Sequence, residues 1–206
     1  MFSVNTTAIK KKLLEKHHIM KIIHADGRCE GWYEIEGLGR CYYYLRDPQA
    51  SAYLYAAAQA MKVVDTPLML LHQANVYRMA QAPAEMEQCL DQLQVLTTEQ
   101  PGRSDDEQLG LWDIRAVGEF IAGHDQACLD LAAQYRHLAN DTTEWFIYAI
   151  EDLADARLNS IPTKAATIAQ EFAQTIKKER IKPWDTDHIQ LWDLYELACQ
   201  IATPNP

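Results

Sequence analysis

The 206-residue sequence contains no uninterrupted apolar run close to the roughly 20 residues that a membrane-spanning helix needs. Lysines interrupt Ile9 to Ile23 every few residues, so the N-terminal region does not offer the apolar stretch of a secretion signal either. The five cysteines (Cys29, Cys41, Cys89, Cys128 and Cys199) are odd in number, widely spread and without a CxxC pair. That usage excludes a disulfide framework and fits small core residues in a reducing compartment, so no membrane association and a cytoplasmic location are expected. Glycine is scarce, and the signatures that depend on it are missing: there is no G-x-S-x-G elbow, no P-loop and no dinucleotide-binding glycine run. H-E-x-x-H and repeated E-x-x-H pairs are missing as well. No catalytic residue, metal or cofactor is therefore assigned.

Positive charge is also short. The formal net charge is −10, and because Met1 to His24 carries five lysines against Glu15, residues 25 to 206 hold −14. A body that acidic repels phosphate backbones, which argues against a nucleic-acid ligand. The hydrophobic content of 48% is ample for an interior. A single all-α domain over residues 1–206 is expected, with residues 1–24 as a basic N-terminal helix that either packs on the body or lies at its periphery.

What is present is helix punctuation. Asp47-Pro48, Thr66-Pro67 and Ala82-Pro83 each place proline where a helix can begin, since its missing N–H costs nothing at the first helical position. Ser104 to Glu107 and Asp141 to Glu144 have the spacing of capping boxes. Between these marks the apolar period is helical, as in Met86, Cys89, Leu90, Leu93 and Leu96, or Cys128, Leu131, Ala132, Tyr135 and Leu138. About ten helices are predicted: 5–23, 28–45, 48–63, 67–81, 83–98, 105–122, 125–139, 142–158, 163–180 and 186–202. Connections of a few residues fold successive helices back on each other. The expected fold class is all-α, a stack of antiparallel helical hairpins forming an α-α superhelix or a compact helical array. The segment Glu99 to Arg103 is the best place for a linker and serves equally as a hairpin turn.

Within Trp32 to Met61, Leu38-Gly39, Tyr42, Asp47, Ser51, Tyr55 and Ala58 fall at the small and aromatic positions of a tetratricopeptide (TPR) repeat, which this segment resembles. The spacing has a packing reason: small residues let two helices approach, an aromatic ring fills the space beside them, and the exposed apolar flank needs a next hairpin to cover it. The resemblance covers about one repeat, has Ile35 where the family carries Trp, and lacks the closing proline. A fainter echo lies in Gly123, Cys128, Ala132 and Tyr135. The resemblance implies protein or peptide binding without catalysis.

Two clusters carry metal-ligand residue types. His124, Asp125 and Cys128 lie a helical turn apart, but Asp125 is expected to cap a helix and Cys128 to face the core. His24, Asp26, Cys29 and Glu30, beside His17 and His18, match no zinc spacing and read as a solvated turn. On the 142–158 helix, Glu144, Tyr148, Glu151 and Asp155 share one face, opposite Phe146, Ala149, Ile150 and Leu153. This acidic stripe centred on a tyrosine reads either as the wet side of a helix or as a docking face for a basic partner. The last helix is apolar around most of its circumference, so it either fills a groove of its own stack or joins a homodimer or partner interface, with Trp184 and Trp192 as anchors.

These features lead to a non-catalytic binding module that sequesters or scaffolds a protein partner through an acidic surface. A specific form is the immunity protein of a bacterial toxin pair, because blocking a basic active site takes charge and shape but no chemistry. Two alternatives stay open: an enzyme with an acid/base or metal pocket between helices, and a DNA- or membrane-associated regulator acting through the basic first helix.

Overall fold

A computed structural model describes residues 31–61, 66–98, 104–137, 145–181 and 191–203. Among them nine helices follow one another: α1 (Trp32–Tyr44), α2 (Ala50–Ala60), α3 (Pro67–Met79), α4 (Pro83–Thr97), α5 (Asp105–Ala122), α6 (Asp125–Tyr135), α7 (Trp145–Leu158), α8 (Pro162–Glu179) and α9 (Leu191–Ala202). The chain is thus an all-α array. The predicted helix over 5–23, the cluster around His24, the 99–103 connection and the 141–144 capping box lie outside the described residues.

Helix starts follow local chemistry. Ser104 forms the full capping box of α5, its hydroxyl accepting from Glu107 N while the Glu107 side chain accepts from Ser104 N. At α3, Thr66 Oγ1 accepts from Met69 N and Pro67 occupies the first turn. Pro83 and Pro162 open α4 and α8 without any side-chain cap. Pro48 does not open α2: Asp47 Oδ1 accepts from Gln49 N, holding residues 47–49 in a turn, and the helix begins at Ala50. Helix α5 ends on Gly123 in the left-handed region at φ 88°, with the Gly123 N–H on Phe120 O and the His124 N–H on Glu119 O.

Each helix packs on its successor, and α3 on α5, α5 on α7, and α7 on α9 form a second set of neighbours. Leu54, Phe120, Ile150, Leu153, Phe172 and Leu194 belong to one continuous core. Full burial of each such side chain contributes about 1.5–3 kcal/mol. The first hairpin shows why glycine stands at position 39: a Cβ there would lie 2.8 Å from Leu54 Cγ and 3.0 Å from the Leu54 backbone nitrogen. Beside this close approach Tyr42 stacks on Tyr53 with ring centroids 5.4 Å apart.

Helix α3 is central, with every residue from Leu70 to Tyr77 buried. The array also closes on itself, because Arg40 of α1 and Asn75 of α3 both bond Asp193 of α9. In an open solenoid each repeat meets only its neighbours; here the first and last described helices meet, so the compact form of the expected array is the one observed.

Candidate functional site

The closure is made of charge. Spacing of four residues puts Glu36, Arg40 and Tyr44 on one face of α1. Arg40 Nε donates to Glu36 Oε1 at 2.6 Å, and its Nη1 donates to both Asp193 oxygens at 2.8 Å. Tyr44 OH and Asn75 Nδ2 also donate to Asp193, at 2.7 and 2.8 Å, and His72 Nε2 lies 2.7 Å from Glu36 Oε2. Arg78 Nε donates to Asn75 Oδ1 at 3.0 Å. Glu36, Arg40, Asn75 and Asp193 are fully buried and His72 is 1% exposed.

Burial works to raise the Asp193 pKa, but Arg40, Arg78 and the Tyr44 hydroxyl outweigh it and hold the carboxyl below its ordinary value. Burial likewise opposes the charge of Arg40, yet Asp193 and then Glu36 raise its pKa, so the guanidinium stays charged. Burial first, then Asp193, pushes Tyr44 well up, which keeps its hydroxyl a donor. At the rim Glu196 is raised, chiefly by burial, and Tyr43 beside it is pushed up to about 12 by burial and then by Glu196. The residue types suit acid–base chemistry, but with almost no solvent contact the cluster cannot meet a substrate without local opening. It acts as a lock among α1, α3 and α9.

Of the predicted acidic stripe, Tyr148, Glu151 and Asp155 fall within α7, with Tyr148 exposed and Glu151 and Asp155 half-buried. Tyr148 is 45% exposed, while Ala149, Ile150 and Leu153 are buried on the other side. Its acids are already partnered within the chain. Glu151 pairs with Arg136, and Lys164 sits 2.7 Å from both Asp152 and Asp155. Hydrogen bonds from Lys164 and Asn159 lower the Asp155 pKa. Glu144, Trp184 and the Phe146 side chain lie outside the described residues.

Trp192 is half-buried: its indole N–H donates to Ile181 O at 2.9 Å and its ring meets the edges of Tyr44 and Tyr195. One side of α9 is used within the array: Leu194, Leu197 and Ala198 are buried and contacts run to α8 and α7, while Leu191, Trp192, Tyr195 and Ile201 are half-buried. Asp125 is not a cap. His124 occupies the cap position without a side-chain bond, and the Asp125 carboxylate instead accepts from Arg157 Nε and Nη2 of α7. Arg157 also donates to Phe120 O and lies 4.6 Å over the Phe120 ring. Cys128 is a core residue, its thiol pushed up to about 12 by burial; Cys41 and Cys89 are buried too.

Among the described residues no group of three or more His, Cys, Asp or Glu side chains could hold a metal ion, and no helix is long and apolar enough to cross a membrane. No protein-family model, no curated protein and no solved structure matches the chain. The sequence reading missed the network of Glu36, Arg40, His72, Asn75 and Asp193. Its signals were a Glu–Arg pair four residues apart between apolar positions, polar residues in α3 that define no polar face, and an acid, Asp193, set between Trp192 and Leu194.

Proposed function

We propose that this chain is a non-catalytic protein-binding module whose acidic surface receives a basic partner, in the manner of a stoichiometric inhibitor such as the immunity protein of a bacterial toxin pair. The observation that carries this reading is the division of its ionisable groups. The cluster with acid–base chemistry is sealed in the interior, and carboxylates remain at the surface around the exposed Tyr148 ring. The internal pairing of those carboxylates does not oppose docking. Exposed ion pairs contribute only about 0–1 kcal/mol, so incoming lysines or arginines can replace Lys164 and Arg136 at little net cost. The net charge of −10 steers such a partner in from solution. A half-exposed tyrosine amid charge is a suitable anchor. The TPR-like reading of Trp32 to Met61 fits the same role, with Ser51 bonding Ala80 O and Tyr55 bonding Glu85 so that the first hairpin rests on the next. Action in the cytoplasm accords with thiols kept as core residues.

The test is capture of a partner by the tagged full chain from cells that carry it, followed by rebinding of the purified partner. Glu144→Lys/Glu151→Lys/Asp155→Lys and, separately, Tyr148→Ala are expected to weaken rebinding, with melting curves confirming that both variants fold. Unchanged affinity of the same partner for both folded variants would remove the α7 face and overturn the proposal.

A further inference from the structure

Helices α8 and α9 flank an open cavity whose chemistry is opposite to that of the chain as a whole. It has a volume of about 280 Å³ and is walled by Ala173 and Ile176 of α8 and by Trp192 and Tyr195 of α9. Lys177, Arg180 and Ile181 also line it. The spacing explains the arrangement: residues 173, 176, 177 and 180 fall on one face of α8 and its last turn, and residues 192 and 195 on the face of α9 turned toward it.

The neutral polar groups of the cavity are already engaged. The Trp192 indole N–H donates to Ile181 O. The Tyr195 hydroxyl sits beside the Cys199 thiol, and burial first, then this neighbour, pushes it up to about 12, so it stays neutral. What the cavity offers a ligand is two aromatic rings, an aliphatic floor and two cations at its edge. Cations near a helix C-terminus are common because they offset the macrodipole. Lys178 supplies that in the same turn without lining the cavity, and it pairs with Glu179 at 3.6 Å.

We infer that the α8–α9 cavity binds a small organic anion with an aromatic body, a carboxylate on a ring system, with the ring between Ile176 and the Trp192 and Tyr195 side chains and the carboxylate between Lys177 and Arg180. The volume lies just below the range of about 300–1,000 Å³ usual for ligand pockets, so the ligand is compact. Both cations present donors only, which selects an acceptor-only group over a hydroxyl or an amine. The negative charge elsewhere on the chain does not prevent entry, because at physiological salt its field decays over about 8 Å, whereas Lys177 and Arg180 act at contact. The site shares no lining residue with the α7 face.

The probe is 2-naphthoate, titrated into the full chain at physiological salt and followed by calorimetry and ligand-observed NMR. Two controls separate the components: 2-naphthylmethanol keeps the ring and removes the charge, and acetate keeps the charge and removes the ring. Saturable binding of one naphthoate per chain is expected, weakened about tenfold or more with 2-naphthylmethanol and in Lys177→Gln/Arg180→Gln. Acetate is expected to bind too weakly to compete. Both substituted side chains are exposed, and Ala173→Phe, which narrows the cavity while keeping both cations, is expected to abolish binding independently. Absence of saturable binding, or affinity unaffected by either variant, would overturn the inference.

Discussion

Removing the Asp193 carboxylate is expected to be among the most damaging single changes available in this chain. The group has no solvent contact and accepts from Arg40 Nη1 on both oxygens, from Tyr44 OH and from Asn75 Nδ2. In Asp193→Ala the Arg40 guanidinium keeps only Glu36 as a charged hydrogen-bond partner, and two neutral donors lose their acceptor. Breaking one side of a buried ion pair costs about 3–5 kcal/mol, since the surviving charge stays desolvated. Stranded donors add to this without summing fully, at about 1–3 kcal/mol each taken singly. We expect a loss of at least about 4 kcal/mol, a large part of the roughly 5–15 kcal/mol that keeps a domain folded. Urea unfolding of the wild type, Asp193→Ala, Arg40→Met and the double variant measures it. Because Arg40→Met removes the charge that Asp193→Ala strands, the double variant should be less destabilised than the sum of the singles by at least about 2 kcal/mol. A loss below about 1 kcal/mol for Asp193→Ala, or additivity within about 0.5 kcal/mol, would show that the network is not the closure described above.

Two further predictions concern pH and packing. Asp193 is held below its ordinary pKa in the folded chain, so in acid the unfolded chain binds the additional proton. Its contribution is present above about pH 4 and lost as pH falls through the lower folded value. Glu196 has the opposite sign: burial raises its folded pKa, so its contribution is present below about pH 4 and lost as pH rises through the folded value. Glu196→Gln is therefore expected to gain stability relative to wild type at pH 7 and to lose that advantage in acid, whereas Asp193→Asn is destabilised most at neutral pH; unfolding titrations at several pH values check both. Gly39→Val is expected to destabilise by about 1–3 kcal/mol in the same unfolding assay, because a Cβ would meet the backbone of the fully buried Leu54 as well as its side chain.

Features carried by neighbouring residues were legible in the sequence, and features carried by distant ones were not. The Ser104–Glu107 box and the Thr66–Pro67 start are complete within four residues of chain, so their chemistry is decided locally. The separation of Tyr148 from the buried Ala149, Ile150 and Leu153 follows from helical period alone. Asp125 shows the limit: acid at the start of a helix is a sound cap by local rules, but Arg157, 32 positions away, takes its carboxylate. Arg40 and Asp193 are 153 positions apart, and nothing in either neighbourhood names the other. The polar residues of α3 were the readable clue. His72, Gln73 and Asn75 interleaved with Leu70, Leu71, Ala74 and Val76 leave no dry face, and such a pattern is stable only where polar groups find partners inside the core. Gln73 does so too, donating to Ala58 O while Cys89 Sγ approaches its Oε1.

Closure also decides which surfaces are open to a partner. An open helical superhelix binds along its concave face. In this chain α3, α5, α7 and α9, the alternate helices of the array, pack on one another, and α3 is buried from Leu70 to Tyr77. Their mutual contacts occupy the surface that would line a groove. Under the proposed binding role, recognition would fall to outward faces, of which α7 offers an exposed ring among carboxylates. On that proposal a partner with a basic cleft is expected in preference to an extended peptide, since a cleft can surround Tyr148 and bring cations to Glu151, Asp152 and Asp155 together. The Arg40–Asp193 lock, though remote from that face, holds α9 in place, and α9 in turn packs on α7. Weakening the lock should therefore reduce partner affinity only to the extent that it unfolds the chain, and binding measured on the folded fraction of Asp193→Asn separates that effect from a direct role in recognition.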